Sequence, residues 1–170
     1  MKSIKLVLVI AAIVFSANTF AQDLKFGHLN IQKLVSELPE KLEADQKLQA
    51  EAQKLDQNLK VMNDELDAKY KDYMEKRDEL AELIRATKEK EIQEISQRLQ
   101  NFQQLAQQNL QQQEQQLLQP IIEKVQKAID AVGADNGFIY IFDVSSRIVV
   151  YHSAQSTDVE DLVKAKLATM

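Results

Sequence analysis

The chain has 170 residues, a formal net charge of −5 and no cysteine. An acidic balance argues against a nucleic-acid partner, whose phosphates require a basic face. The lack of cysteine excludes thiol catalysis, cysteine-ligated metals and disulfide staples, so stability has to come from packing or assembly.

Lys2 and Lys5 precede an uncharged apolar run, Leu6 to Phe15, and Thr19-Phe20-Ala21 places small residues where a signal peptidase reads. Residues 1–21 are therefore expected to be a signal peptide, cleaved after about Ala21, with the remainder exported. The apolar run is too short to span a bilayer, which takes about 20 residues. Loss of the two leader lysines leaves the remainder more acidic still.

Next, Leu24 to Asn30 alternates like a strand, and Asn30 is placed to cap a short helix from Ile31 to Glu37. Pro39 suits the first turn of a longer helix, where its missing N–H costs nothing. From Glu40 to Gln119 the chain contains neither glycine nor proline and is rich in Ala, Leu, Glu, Lys and Gln, all good helix formers. Leu48, Ala52, Leu55, Leu59, Met62 and Leu66 step by four and three, the seam of a coiled coil. Ile92, Ile95, Leu99, Phe102 and Ala106 form a second seam in a different phase. The gap between them places a turn near Arg85 to Lys90, and an antiparallel hairpin is preferred to one continuous helix. Its first helix, Glu40 to Ile84, would be roughly 65–70 Å long at 1.5 Å per residue.

Gln100 to Gln119 (QNFQQLAQQNLQQQEQQLLQ) is dominated by glutamine. Such a face stays soluble without a strong field, and its thin seam predicts a pliable arm. Pro120 should kink or break the returning helix, which resumes to about Val132 with Gly133 as its C-cap. FIYIFDV (Phe138 to Val144) and RIVVY (Arg147 to Tyr151) read as strands joined at Ser145-Ser146 in a hairpin. A last helix, Val159 to Leu167, would be capped by Thr157 or Ser156, with Glu160 completing a capping box with Thr157.

The expected fold class is α+β, mostly α. Residues 22–38 and 120–170 form a small β body, and residues 39–119 form a helical hairpin arm. The body is small for a lone hydrophobic core, and its strands are apolar on both faces, so self-association is the economical cover. Candidate oligomerisation residues are Phe26, Leu29, Ile31, Leu34, Phe138, Ile139, Ile141, Val144, Ile148 and Val149. On the arm, adjacent residues differ by about 100° around the helix. Tyr70, Tyr73 and Met74 therefore cannot all face one seam, and some apolar surface is left on a flank. The candidate client-contact residues are Met62, Leu66, Tyr70, Tyr73, Met74, Leu80, Leu83, Ile84, Phe102 and Leu105. Methionine adapts to varied partners, and tyrosine offers an apolar body with a polar end.

Catalytic signals are weak. His28 and His152 are the only histidines, and packing in the body is a better account of them than a metal pair. Neither a G-x-S-x-G nucleophile nor a G-x-x-x-x-G-K-[ST] phosphate loop occurs. No enzyme activity, cofactor or metal is expected.

KFGHLNIQKLVSELPE resembles the first strand and short helix of the Skp/OmpH family of periplasmic chaperones. QPIIEKVQKAIDAVGADNGFIYIFDVSSRIVVYHSAQSTDVEDLVKAKL resembles that family's C-terminal half. The resemblance spans the chain after the leader and is specific at its two ends, while the middle matches in composition only. It implies a homotrimer in the periplasm, with a β body built from three chains. Three helical arms would enclose unfolded outer-membrane β-barrel proteins without ATP. The best-known members are strongly basic and this chain is acidic, which argues against lipopolysaccharide or membrane contact. The alternative reading is a structural coiled-coil spacer or adaptor of the cell envelope.

Overall fold

A computed structural model describes residues 24–146 and 148–170. The expected signal peptide lies outside the described residues. The chain is mostly helical, with a long helical hairpin and a small sheet made from its two ends.

Strand β1 (Phe26–Leu29) leads directly into helix α1 (Ile31–Ser36). The Asn30 side chain accepts the Lys33 N–H at 2.8 Å, as its position predicted. Helix α2 (Pro39–Lys76) starts with Pro39 in its first turn and runs 38 residues, roughly 57 Å at 1.5 Å per residue. A 3₁₀ turn, Arg77–Glu79, then reverses the chain, and helix α3 (Glu82–Asn136) returns for 55 residues. Strand β2 (Tyr140–Asp143), strand β3 (Thr157–Asp158) and helix α4 (Glu160–Leu167) complete the chain.

Four local expectations are corrected. The turn falls at residues 77–81, not at Arg85 to Lys90, because Leu80 breaks into an extended conformation (ψ 138°) and helix α3 starts at Glu82. Pro120 does not interrupt the helix. It is exposed, so the Gln116 carbonyl it leaves without a donor faces water, and core packing just beyond it holds the helix line. Helix α3 continues past Gly133 to Asn136 and ends at Gly137, whose φ of 69° is left-handed. A side chain there would meet the following carbonyl, which makes glycine the natural C-cap. Finally, the Thr157/Ser156 cap is replaced. Thr157 belongs to β3, and Asp158 Oδ1 accepts the Glu160 N–H at 2.9 Å.

The sheet also differs from the expected hairpin. Its order is β2-β1-β3, and both pairings are parallel. Phe26 pairs with Tyr140, Gly27 with Ile141, His28 with Phe142 and Leu29 with Asp143. Residues 148–151 are not a strand. Their side chains favour extended structure, but a strand exists only where an edge accepts its backbone, and among the described residues no backbone bond joins residues 148–151 to the sheet.

One face of the sheet is closed by the end of α3 together with α1 and α4. Leu29, Leu34, Val125, Ala128, Ile129, Val132, Val159, Val163 and Leu167 make the buried core. Gly27 permits the close approach of these layers. A Cβ there would lie 3.1 Å from Val159 Cγ1, 3.2 Å from Ile141 Cγ1 and 3.3 Å from Phe138 Cδ1.

Candidate functional site

The arm is a two-helix ladder with a narrow apolar seam. On α2, Leu48, Ala52, Leu55, Leu59, Met62 and Leu66 are half-buried, as their spacing predicted. On α3, Ile95, Leu99 and Ala106 are buried and Phe102 is half-buried.

Two antiparallel helices cannot hide every apolar residue, and a flank remains. Val61, Tyr70, Met74, Leu83, Ile84 and Leu105 are exposed, Leu83 to 77% and Val61 to 66%. Among the candidate contact residues, Tyr70, Met74, Leu83, Ile84 and Leu105 therefore face solvent. Met62, Leu66, Leu80 and Phe102 line the seam at half burial, and Tyr73 is buried between the helices. Val61 was missed by the sequence reading because it lies one residue off the seam. Its only sequence signal is being a β-branched apolar residue on a polar face.

Polar contacts across the arm are unevenly spread. Near the tip the Tyr73 hydroxyl donates to Glu89, Lys69 donates to Glu91, and Lys88 Nζ reaches Asp72 Oδ2 at 2.6 Å. Asp72 also accepts from Lys76 on its own helix. These two ammonium donors hold the Asp72 carboxyl down at about 2. The bond to Glu89 pushes the Tyr73 phenol up, and Lys69 holds Glu91 below the usual carboxylate range. At the base Lys124 Nζ bonds Glu40 Oε1 at 2.8 Å. In the glutamine-rich middle no ion pair or hydrogen bond between side chains crosses from α2 to α3 among the described residues. Instead a shallow groove opens between Leu48, Ala52 and Leu110, flanked by Gln107 and Gln111.

The body has a second apolar surface. Because β1 alternates, Gly27 and Leu29 face the core while Phe26 and His28 face out. Register adds Tyr140 and Phe142 to that outer face. Phe26 and Tyr140 stack with ring centroids 6.3 Å apart, and Tyr140 and Phe142 lie 5.8 Å apart. Ile139, Tyr140, Phe142, Ile148, Val150 and Tyr151 are all exposed. Of the candidate oligomerisation residues, Leu29 and Leu34 are interior to the single chain, and Ile31, Phe138 and Ile141 pack against its core. Phe26, Val144 and Val149 are half-buried, while Ile139 and Ile148 are exposed.

This geometry defines a class before a family: a small sheet formed by the chain ends, carrying a long helical hairpin with apolar residues on its flank. The sequence model of the outer membrane protein (OmpH-like) family matches residues 25–167. The chain belongs to that family. Its fold is shared with a protein from Caulobacter crescentus CB15 whose crystal structure carries the description of an OmpH-like outer membrane chaperone. The two have a TM-score of 0.74 and 19% identity, over 85% of each chain. No individually curated protein matches.

Proposed function

We propose that this chain is an ATP-independent holdase of the periplasm that keeps unfolded outer-membrane β-barrel proteins from aggregating. The observation that carries the reading is the arm flank, where Tyr70, Met74, Leu83, Ile84 and Leu105 stand exposed on helices otherwise coated with charge and glutamine. Isolated apolar side chains on a polar rod make many weak contacts and no tight one. Several arms acting on one client raise retention through effective concentration. Separation keeps the client's unpaired strand edges apart, and those edges drive aggregation.

The body's outer face supports joining of copies into a homotrimer. Aromatic and aliphatic residues stand exposed there, and residues 148–151 carry strand-forming side chains without a strand partner. A second copy supplies both cover and an edge. Residues 22–38 and 120–170 then act as the assembly body and residues 39–119 as the arm.

The test is dilution of a denatured β-barrel client into buffer with the purified chain, followed by light scattering. Suppression at a stoichiometric excess of assembled chain is expected. Replacing Tyr70, Met74, Leu83, Ile84 and Leu105 together by serine should weaken it while mass in solution stays the same. Unchanged scattering with the native chain refutes the holdase reading.

A further inference from the structure

Asn136 is the only asparagine in the chain that is followed by glycine. It is the last residue of α3, and Gly137 is the left-handed cap that turns the chain toward β2. Both are exposed. An asparagine before glycine carries its own reagent, because no side chain on the next residue shields the backbone nitrogen from the asparagine amide carbon.

The reaction needs only water. The Gly137 nitrogen gives up its proton and bonds to Asn136 Cγ. The bond from Cγ to Nδ2 breaks, and the nitrogen leaves as ammonia. Water then opens the resulting succinimide. Opening at Cγ leaves aspartate with the backbone intact. Opening at the backbone carbonyl leaves isoaspartate, whose main chain has one carbon more.

The folded chain holds the two reacting groups apart. Helical backbone at Asn136 turns the Gly137 nitrogen away from Cγ. The Gly137 N–H is bonded to Gly133 O, and Phe138 N donates to the same oxygen at 3.0 Å. Asn136 Nδ2 donates to Val132 O at 2.8 Å, which draws the side chain back along the helix. The carbonyl of Asn136 is one of the helix-end acceptors that lack an intrahelical donor. Lys25, 111 residues away in sequence, supplies that donor: its Nζ lies 3.2 Å from Asn136 O. The same ammonium sits 4.2 Å from the centre of the Phe138 ring, and Ile139 N donates to Lys25 O at 2.9 Å. Lys25 thus grips the peptide unit 136–137 directly and both residues that follow it. A cation is favoured there in any case, at the negative end of a helix.

We propose that Asn136–Gly137 is a deamidation site masked by the fold, and that Lys25 is the side chain that keeps it masked. Rotation of the Asn136 backbone is what brings nitrogen and Cγ together, and it carries the carbonyl away from Lys25. Helix ends open locally at low cost, so the mask is lifted by fraying of the last turn of α3 without unfolding of the core. The two products differ in consequence. Aspartate at 136 places a carboxylate beside Lys25. Isoaspartate lengthens the link between α3 and β2, against the packing of Phe138 and the register of Phe26 with Tyr140.

Peptide mass mapping after incubation of the full chain at pH 8 tests this, with isoaspartate scored by fragmentation. Asn136 should be the first asparagine to deamidate, at least about tenfold more slowly in the folded chain than in guanidinium chloride. Lys25→Met should speed deamidation of the folded chain by about threefold, with exchange of the Leu29 and Val163 amides unchanged, and Lys25→Arg should keep the native rate. Equal rates folded and unfolded, another asparagine reacting first, or a native rate in Lys25→Met overturns the proposal. If Lys25→Met folds poorly by circular dichroism, low denaturant takes its place. Below the unfolding transition the native rate should stay nearly flat, as local opening requires. A rate that tracks global unfolding refutes the local mask. None of these readouts depends on client binding or on assembly.

Discussion

The body and the arm use the same apolar residue types and bury them to different depths. In the body, layers from β1, α1, α3 and α4 close around Leu29, Leu34, Val125, Val159 and Val163, each exposed by 2% or less. In the arm, two helices meet along one line, and most seam residues on α2 stay half-buried. The body is held from several sides by dispersion and the hydrophobic effect. The arm is held from one side, with ionic contacts at its tip and base. Exposed ion pairs contribute little each, so opening of the middle of the arm is cheap. Stiffness is thus concentrated in the body, and compliance is left to the part that would meet a client.

The sharpest way to break this contrast is to remove matched leucines. Leu34 is fully buried, so Leu34→Ala should cost about 2–5 kcal/mol by denaturant unfolding. Leu110→Ala, at a half-buried position of the mostly exposed glutamine-rich stretch, should cost less than about 1 kcal/mol. Equal losses would mean that the arm is packed as firmly as the body.

Gly27→Val is a smaller perturbation. Its Cβ would press Val159, Ile141 and Phe138 at 3.1–3.3 Å, and overpacking of this kind costs about 1–3 kcal/mol. The loss should appear as earlier exchange in β1 and α4, with the arm amides unmoved.

The smallest effect belongs to the tip. Asp72 has a folded pKa of about 2 against an ordinary 3.8, set first by its hydrogen bond from Lys76 and then by that from Lys88. A depressed carboxyl stabilises the folded tip above its unfolded pKa, and that contribution is lost as pH falls through the folded value. Tip amides of α2 and α3 should therefore lose protection between about pH 4 and pH 2, and high salt should weaken them at neutral pH. Asp72→Asn should remove the acid response at this position. If native tip protection is flat over that interval, the ionic clasp does not hold the tip.

Much of this was legible one element at a time. The four-and-three spacing from Leu48 to Leu66 marked the seam, Asn30 marked the start of α1, and Pro39 marked the first turn of α2. Those signals are local, since each depends on side chains within a turn or two of one another. The turn at 77–81 was misplaced because no glycine or proline announces it and Ile84, apolar but exposed, extends the apparent seam. The exposed flank was visible only in part. Tyr70 and Met74 follow from helix geometry, while Val61, one residue off the seam on a polar face, was passed over.

Composition and spacing alone determined that this chain is mostly helical, acidic and free of thiols, and that its ends differ in kind from its middle. Helix period and capping are settled by neighbours a few residues apart, which is why they survive in a one-dimensional reading. Tertiary structure alone decided that the strands run parallel, that residues 148–151 find no strand partner among the described residues, and that His28 meets His152. Those outcomes depend on which edges and faces arrive together across more than a hundred residues of intervening chain, and no local propensity encodes such a meeting.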